Sequence, residues 1–238
     1  MKKAIVIGAT SGIGKGISEL LVKNLITVGI TGRRTNLLQE MKNEHPNYIE
    51  TVTLDVTEIE TIEEKLDELV TKLGGLDLII ICSGTGDFNE SLDFQIEQKT
   101  IQTNILGFTC VADWAYRYFE NQKSGHLVGI SSLGGIRGSR IAPAYNASKA
   151  FQINYLEGLR QKAKKSKMAI TVTDVRPGFV NTEMAKGEGL FWVAPLDKAA
   201  KQIFKAIRNK KKVVYVTKRW RIVAGLLKRI PNSLYEKM

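Results

Sequence analysis

Lys3-Ala4-Ile5-Val6-Ile7-Gly8-Ala9-Thr10-Ser11-Gly12-Ile13-Gly14 heads the chain. Four apolar residues run into a glycine, two more glycines follow at spacings of four and two, and a helical pattern over about residues 12–24 comes next. The order strand, glycine turn, helix is what an anion-binding turn requires. Glycines let the backbone bend tightly and approach a pyrophosphate, while the helix amino terminus faces the negative charge. The spacing is Gly-x-x-x-Gly-x-Gly and not the Gly-x-Gly-x-x-Gly of many dinucleotide enzymes, but the physical logic is shared. Gly8, Thr10, Ser11, Gly12, Ile13 and Gly14 are therefore candidate cofactor contacts.

Outward from this turn the same unit repeats. Short β-branched runs at 4–7, 26–31, 48–54, 76–82, 126–131, 169–175 and 213–216 predict strands. Helical patterns lie between them at about 35–44, 58–73, 91–121, 145–165 and 197–208. The run at 76–82 is almost wholly apolar, as a central strand covered on both faces should be. Such alternation implies an α/β fold: a Rossmann-like, doubly wound parallel sheet of about seven strands with helices on both faces. The 238 residues read as a single NAD(P)-binding domain, 1–238, with a basic helix at about 217–230.

The end of the second strand reads Thr31-Gly32-Arg33-Arg34, where many NAD-binding chains place an acid for the ribose diol. Two guanidiniums suit a 2′-phosphate instead, which predicts NADP(H) in preference to NAD(H). Asp55, followed by Val56, ends the third strand where an adenine amino group can be met; an ordinary strand-end carboxylate is the rival reading.

Tyr145 and Lys149 stand four apart in Ala144-Tyr145-Asn146-Ala147-Ser148-Lys149, which puts both on one helix face. An ammonium beside a phenol favours the phenolate and makes tyrosine a usable acid or base. Ser132, in Ile130-Ser131-Ser132-Leu133-Gly134-Gly135, is placed by the preceding strand to polarise a carbonyl oxygen.

In this order the glycine turn, Asp55, Asn104 in Gln102-Thr103-Asn104-Ile105-Leu106-Gly107, Ser132, Tyr145, Lys149 and Arg176-Pro177-Gly178-Phe179-Val180-Asn181-Thr182 resemble the short-chain dehydrogenase/reductase family, in its compact single-domain branch. The resemblance runs from Gly8 to about Val216 and implies an NADP(H)-dependent oxidoreductase moving a hydride between nicotinamide and a ketone, aldehyde or alcohol. It implies Tyr145 as general acid or base, Lys149 as its pKa-lowering partner and ribose contact, Ser132 as holder of the substrate oxygen, and Asn104 as anchor of a water joining Lys149 to solvent. Pro177, Gly178, Val180 and Thr182 would shape the nicotinamide pocket. Two departures stand out: Ile81-Cys82-Ser83-Gly84 replaces the family's common Asn-Asn-Ala-Gly, and Ile7 stands where threonine is frequent. Ser83 and Gly84 remain cofactor candidates, Gly84 by close approach. The resemblance also implies a homodimer or homotetramer formed through the helices at 91–121 and 145–165. A non-catalytic NADP(H)-sensing or membrane-surface scaffold on the same fold is the competing function, disfavoured by the intact Asn104, Ser132, Tyr145 and Lys149.

The remaining features bound the setting. Cys82 and Cys110 sit in apolar surroundings and, like His45 and His126, lack metal-ligand spacing, so no metal is expected. The start mimics a signal peptide but its apolar run stops at Gly8, and a cytoplasmic location is expected. The net charge of +11 is segregated: residues 198–238 hold thirteen Lys and Arg against Glu236 alone, and the first 197 carry 22 bases and 23 acids. The basic tail reads either as a helix packed on its own domain with its charges in solvent, or as one that Trp220 and the cations seat on an anionic membrane. Nothing accompanies the charge to indicate nucleic acid. The segment 183–195, with Met184, Leu190, Phe191, Trp192 and Val193, reads equally as lining for an apolar substrate and as a lid or subunit contact.

Overall fold

A computed structural model describes residues 1–185 and 190–237. Seven strands, β1 (Lys3–Ile7), β2 (Thr27–Gly32), β3 (Ile49–Thr53), β4 (Leu78–Ile81), β5 (Ser124–Ile130), β6 (Ala169–Pro177) and β7 (Val213–Val216), form one sheet in the order β3-β2-β1-β4-β5-β6-β7. Every pairing is parallel. The register is set by the hydrophobic alternation. Ala4 and Val6 of β1 point into one core and Ile5 and Ile7 into the other, so both faces of the strand are covered.

The first face packs on α1 (Gly12–Lys23), α2 (Thr35–Glu44) and α7 (Leu196–Arg208), through Ile17, Leu21, Leu38, Ile203 and Ile207. The second packs on α3 (Ile59–Leu73), α5 (Phe108–Asn121) and α6 (Pro143–Ser166), through Leu66, Leu69, Phe108, Val111, Phe119 and Leu156. This is the doubly wound arrangement expected from the alternation. After β3 the chain crosses to the other side of β1 and adds β4, so the helices following β1 and β4 diverge. The crevice at the carboxyl ends of those two strands is where such sheets bind ligands.

The helical region expected over 91–121 runs without a gap from Phe94 to Asn121 but is not α-helical throughout. It runs as α4 (Phe94–Ile101), a six-residue π-helical turn at Gln102–Gly107, and α5. Asp93 caps α4 by accepting from the Gln95 amide at 2.8 Å. The π-turn coincides with Asn104, whose side chain and carbonyl are both bonded to other elements, and the backbone widens there to let them reach.

The tail holds one helix within the expected 217–230, and a second follows it. It forms α8 (Trp220–Leu227), stops before Pro231, and resumes as α9 (Asn232–Tyr235). Trp220, one of the groups that might have rested on a membrane by sequence, is buried instead. Its ring meets Phe179, Phe191 and Trp192 at centroid distances of 5.6, 5.1 and 5.7 Å. The tail thus packs on the domain, and its lysines and arginines are in solvent. Among the described residues no helix is long and apolar enough to cross a membrane.

His126 is buried within β5 and not at a strand edge. Its Nε2 lies 2.8 Å from the Thr173 hydroxyl, which donates its own proton to the Lys211 carbonyl at 2.6 Å. Nε2 is therefore the donor, and it is burial that keeps the ring neutral. Burial, with a smaller contribution from the Lys210 cation, lowers its pKa to about 4. Between pH 6.5 and 4 the unfolded chain binds a proton that the folded chain refuses, so stability falls as the pH falls through that window. Urea midpoints of the parent and of His126→Gln should converge as the pH is lowered from 6.5 to 4; a constant gap would contradict a neutral buried ring.

Candidate functional site

A cavity of about 870 Å³ opens at the crevice between β1 and β4. Its floor is the turn after β1. Gly8 has φ +80°, and a Cβ on Gly14 would stand 2.2 Å from the Gly8 carbonyl oxygen, so the turn closes on the start of α1 only with glycine there. The amides of the first turn of α1 have no intrahelical acceptor and face this space. Ser83, after β4, lines the cavity with its hydroxyl buried and without a protein partner. An orphaned buried hydroxyl beside a glycine cradle and a helix amino terminus fits a phosphorylated cofactor spanning the floor.

Arg33 and Arg34 stand at one rim. The Arg34 guanidinium donates twice to the Thr10 hydroxyl, at 3.1 and 2.8 Å, and lies 4.0 Å from Glu183. Arg33 lies 3.7 Å from Asp55, whose other oxygen accepts from the Thr57 amide and hydroxyl at 3.0 and 2.9 Å. Asp55 is thus engaged as a strand-end turn carboxylate, and Arg33 remains largely in solvent.

The opposite wall is the first two turns of α6. Tyr145 and Lys149 both line the cavity, with the Lys149 ammonium 5.8 Å from the tyrosine ring centroid. Gly86 packs flat on that ring: a Cβ there would sit 2.4 Å from Tyr145 Cδ2. Burial holds the Tyr145 phenol above its ordinary pKa, while a hydrogen bond with Ser132 acts in the other direction. The Ser132 oxygen also accepts from the Gly134 amide at 3.0 Å, which fixes the hydroxyl at the end of β5.

Lys149 is almost fully buried. Its ammonium donates to the Ile130 carbonyl at 3.1 Å and to the Gln152 side-chain oxygen at 2.9 Å. Burial lowers its pKa to about 8, against the pull of the neighbouring Cys82 and Asp174. Burial likewise pushes the Cys82 thiol up to about 12, so it is an unreactive packed thiol. Gln152 was not foreseen. Its amide nitrogen donates to the Asn104 carbonyl at 2.9 Å, so it bridges Lys149 to the π-turn. The signal was available, because residues 145, 149 and 152 share one helix face.

Asn104 is held by protein groups. Its side chain accepts from the Thr85 amide at 2.9 Å and donates to the Thr85 carbonyl at 2.7 Å and the Ser148 hydroxyl at 3.0 Å. The Gln152 amide stands between the Asn104 carbonyl and Lys149. The other catalytic and cofactor candidates named from sequence line the cavity, except Thr10, which Arg34 holds by hydrogen bonds; of the candidate substrate lining, Trp192 and Val193 do not line it.

The last wall comes from 183–195, of which residues 186–189 lie outside the described set, and from the tail. Val180 and Ala194 pair as an isolated bridge that pins the base of this flap. Met184, Leu190 and Phe191 face the cavity, joined by Val223 and Leu227 of α8 and Tyr235 of α9. Tyr235 donates to the Gly138 carbonyl at 2.6 Å and stacks under Arg137 at 4.3 Å, which seats α9 on the loop after β5. These tail residues were missed because sequence order places them far from every motif. Among the described residues no group of three His, Cys, Asp or Glu side chains is assembled for a metal ion.

A family model described as short chain dehydrogenase matches residues 2–190, which leaves α7, β7 and the tail outside it. An uncharacterized oxidoreductase of Myxococcus xanthus is 35% identical over 188 residues, covering 77% of this chain and 74% of that one. An uncharacterized oxidoreductase of Staphylococcus aureus strain USA300 is 32% identical over 184 residues, covering 76% and 79%. Among solved structures, a short-chain dehydrogenase from Streptomyces avermitilis superposes with a TM-score of 0.84 at 25% identity, covering 99% of this chain and 96% of that one. ElxO with NADP bound gives 0.79 at 25% identity, covering 91% and 97%. A short chain dehydrogenase/reductase from Burkholderia phymatum in complex with NAD gives 0.85 at 16% identity, covering 94% and 92%, and shares the fold.

Gln152→Leu, similar in volume, would take from the buried ammonium one of its two acceptors, leaving Ile130, and from the Asn104 carbonyl the Gln152 donor. The expected cost is about 2–4 kcal/mol in urea unfolding at pH 7, and a loss below about 0.5 kcal/mol would contradict the bridge.

Proposed function

The chain belongs to the short-chain dehydrogenase family, an oxidoreductase family, and from that premise we propose that it reduces a ketone or aldehyde with NADPH, or runs the reverse oxidation, with Tyr145 as the acid or base. The observation that carries the reading is the pairing of Tyr145 with a buried Lys149 ammonium on the cavity wall opposite the glycine turn. A protein that only bound the cofactor would have no need to bury an ammonium there.

The chain's own residues have the following tasks. Ser132 and Tyr145 hold the substrate oxygen, Ser132 by its hydroxyl and Tyr145 by the proton it will give up. The raised pKa of Tyr145 keeps that proton in place at neutral pH, as reduction requires. The nicotinamide, when bound, supplies or accepts the hydride at C4. As the Tyr145 proton passes to the substrate oxygen, the phenolate left behind is stabilised by the Lys149 ammonium. Lys149 donates two of its hydrogen bonds to Ile130 and Gln152, and its third N–H is available to the cavity for the cofactor ribose or the phenolate. Gln152 and Asn104 act as positioning residues that keep the ammonium aimed at Tyr145. Ser83 and the first amides of α1 would take phosphate oxygens, and Pro177, Gly178, Val180 and Thr182 would frame the nicotinamide.

NADP(H) is preferred in this reading because Arg33 and Arg34 stand at the rim and the second strand ends without an acid. The apolar lining by Met184, Leu190, Phe191, Val223 and Leu227 favours an apolar carbonyl compound. One domain carries the whole site. Exposed Phe94, Ile101 and Leu106, on α4 and the π-turn, support association with a second copy through these helices.

NADPH oxidation across a panel of ketones and aldehydes tests the reading. Tyr145→Phe should lower kcat by about 10²–10⁴-fold, and a Phe variant equal to the parent would overturn the mechanism. In the same assay Arg33→Asp should weaken NADPH far more than NADH; equal effects would remove the cofactor preference.

A further inference from the structure

Apart from Met1, Leu25 and Val213, the exposed large apolar side chains form two groups of different electrical character. Phe88, Leu92, Phe94, Ile101 and Leu106 lie among acids, with Glu90 and Asp93 both in solvent. Met184, Phe191, Trp192, Val193, Ile222, Leu226 and Leu234 belong instead to the flap and the tail. There Lys218, Arg219, Arg221, Lys228, Arg229 and Lys237 are all exposed, and no Asp or Glu occurs between Lys198 and Tyr235.

Helix α8 explains how this second group is presented. Trp220, Val223, Ala224 and Leu227 take the inner face, Trp220 and Ala224 buried in the domain and Val223 and Leu227 lining the cavity. Ile222 and Leu226, one turn apart, share the outer face with Arg221 and Arg229. The flap joins the same surface. Trp192 packs on Trp220 and stays half exposed, while Arg219 lies over the Trp192 ring at 4.8 Å and donates to its carbonyl at 3.0 Å. An apolar ridge capped by tryptophan and flanked by cations is the pattern of a helix lying in a bilayer interface. A second copy would bring the same cations against themselves, whereas an anionic headgroup layer complements them.

We propose that the outer face of α8 and the adjoining Phe191-Trp192-Val193 flap dock on an anionic lipid surface, and that the cavity immediately inside takes an apolar ketone or aldehyde delivered from that surface. The docking half stands on surface chemistry alone; the substrate half rests on the carbonyl-reduction reading. Burying Trp220 in the domain does not weaken the proposal, since it is what orients Ile222 and Leu226 outward.

The test is flotation of the full chain with vesicles of phosphatidylglycerol and phosphatidylcholine, and with phosphatidylcholine alone, at low and high salt. Alongside runs the variant Ile222→Ser/Leu226→Ser, whose altered side chains face away from the cavity. The parent should float with the anionic vesicles only, less so as salt rises, and the variant should bind about tenfold more weakly. NADPH oxidation with a water-soluble aldehyde, without vesicles, should be the same for both proteins. Flotation does not depend on turnover, so a protein that floats without oxidising NADPH would defeat the reductase reading and leave docking standing. Failure to float, equal flotation of parent and variant, or dissociation of a soluble oligomer by the two substitutions would overturn the docking.

Discussion

The ammonium of Lys149 is a positive charge carried almost out of water, and the parts around the cavity are arranged about that cost. An unpaired charge in such a place would lose its proton or unfold its surroundings. Here the Ile130 carbonyl at the end of β5 and the Gln152 side-chain oxygen each accept a hydrogen bond, and the Asp174 carboxylate contributes its field from β6. Asp174 is held in turn by Arg176 at 2.6 Å and by the Ser131 hydroxyl at 2.5 Å, beside the serine that faces the cavity. Gln152 reaches across to the Asn104 carbonyl, which the π-turn between α4 and α5 brings within range. Thus α4, α5, α6, β5 and β6 are tied together through groups that also aim a phenol and an ammonium into one cavity.

The sheet supplies the other half of the constraint. Reversal of strand order between β3 and β4 opens the crevice, and the glycine turn after β1 lets the backbone form its floor. The family model's match ends at residue 190, and the chain beyond it supplies a further wall. Helices α8 and α9 carry Val223, Leu227 and Tyr235 to the cavity, and Trp220 locks them to Phe179 and Phe191. The basic carboxy-terminal segment, residues 198–238, is therefore also part of the pocket. Charge and pocket sharing one short helix is what makes a surface-bound, apolar substrate a coherent reading.

The sheet and its two helical layers were legible because period-two alternation, an all-apolar central strand and a glycine turn are local patterns with few rival structures. The meeting of Tyr145, Lys149, Ser132 and the glycine turn was legible for the same reason, each sitting at a strand end or on the helix that follows. Gln152 was not singled out, because glutamine on a helix is ordinarily a solvent-facing residue, and only burial behind Lys149 gives it a task. The π-turn was hidden inside a continuous helical pattern, since one extra residue per turn leaves no compositional mark. Trp220 stayed open between a packed tail and a surface anchor because its partners Phe179, Phe191 and Trp192 are distant in sequence. The distinction throughout is between patterns written within a dozen residues and contacts made across the fold.

The central claim is that Lys149 is a buried, bonded ammonium whose ionisation the protein sets for work on Tyr145. NMR titration of the protein with ¹³C-labelled lysine side chains, in the absence of cofactor, reads this directly. The account predicts one lysine titrating near pH 8, absent from the spectrum of Lys149→Met and shifted lower in Gln152→Leu, where an acceptor for the charged form is lost. A Lys149 resonance titrating near the ordinary lysine value of about 10.4 would contradict it.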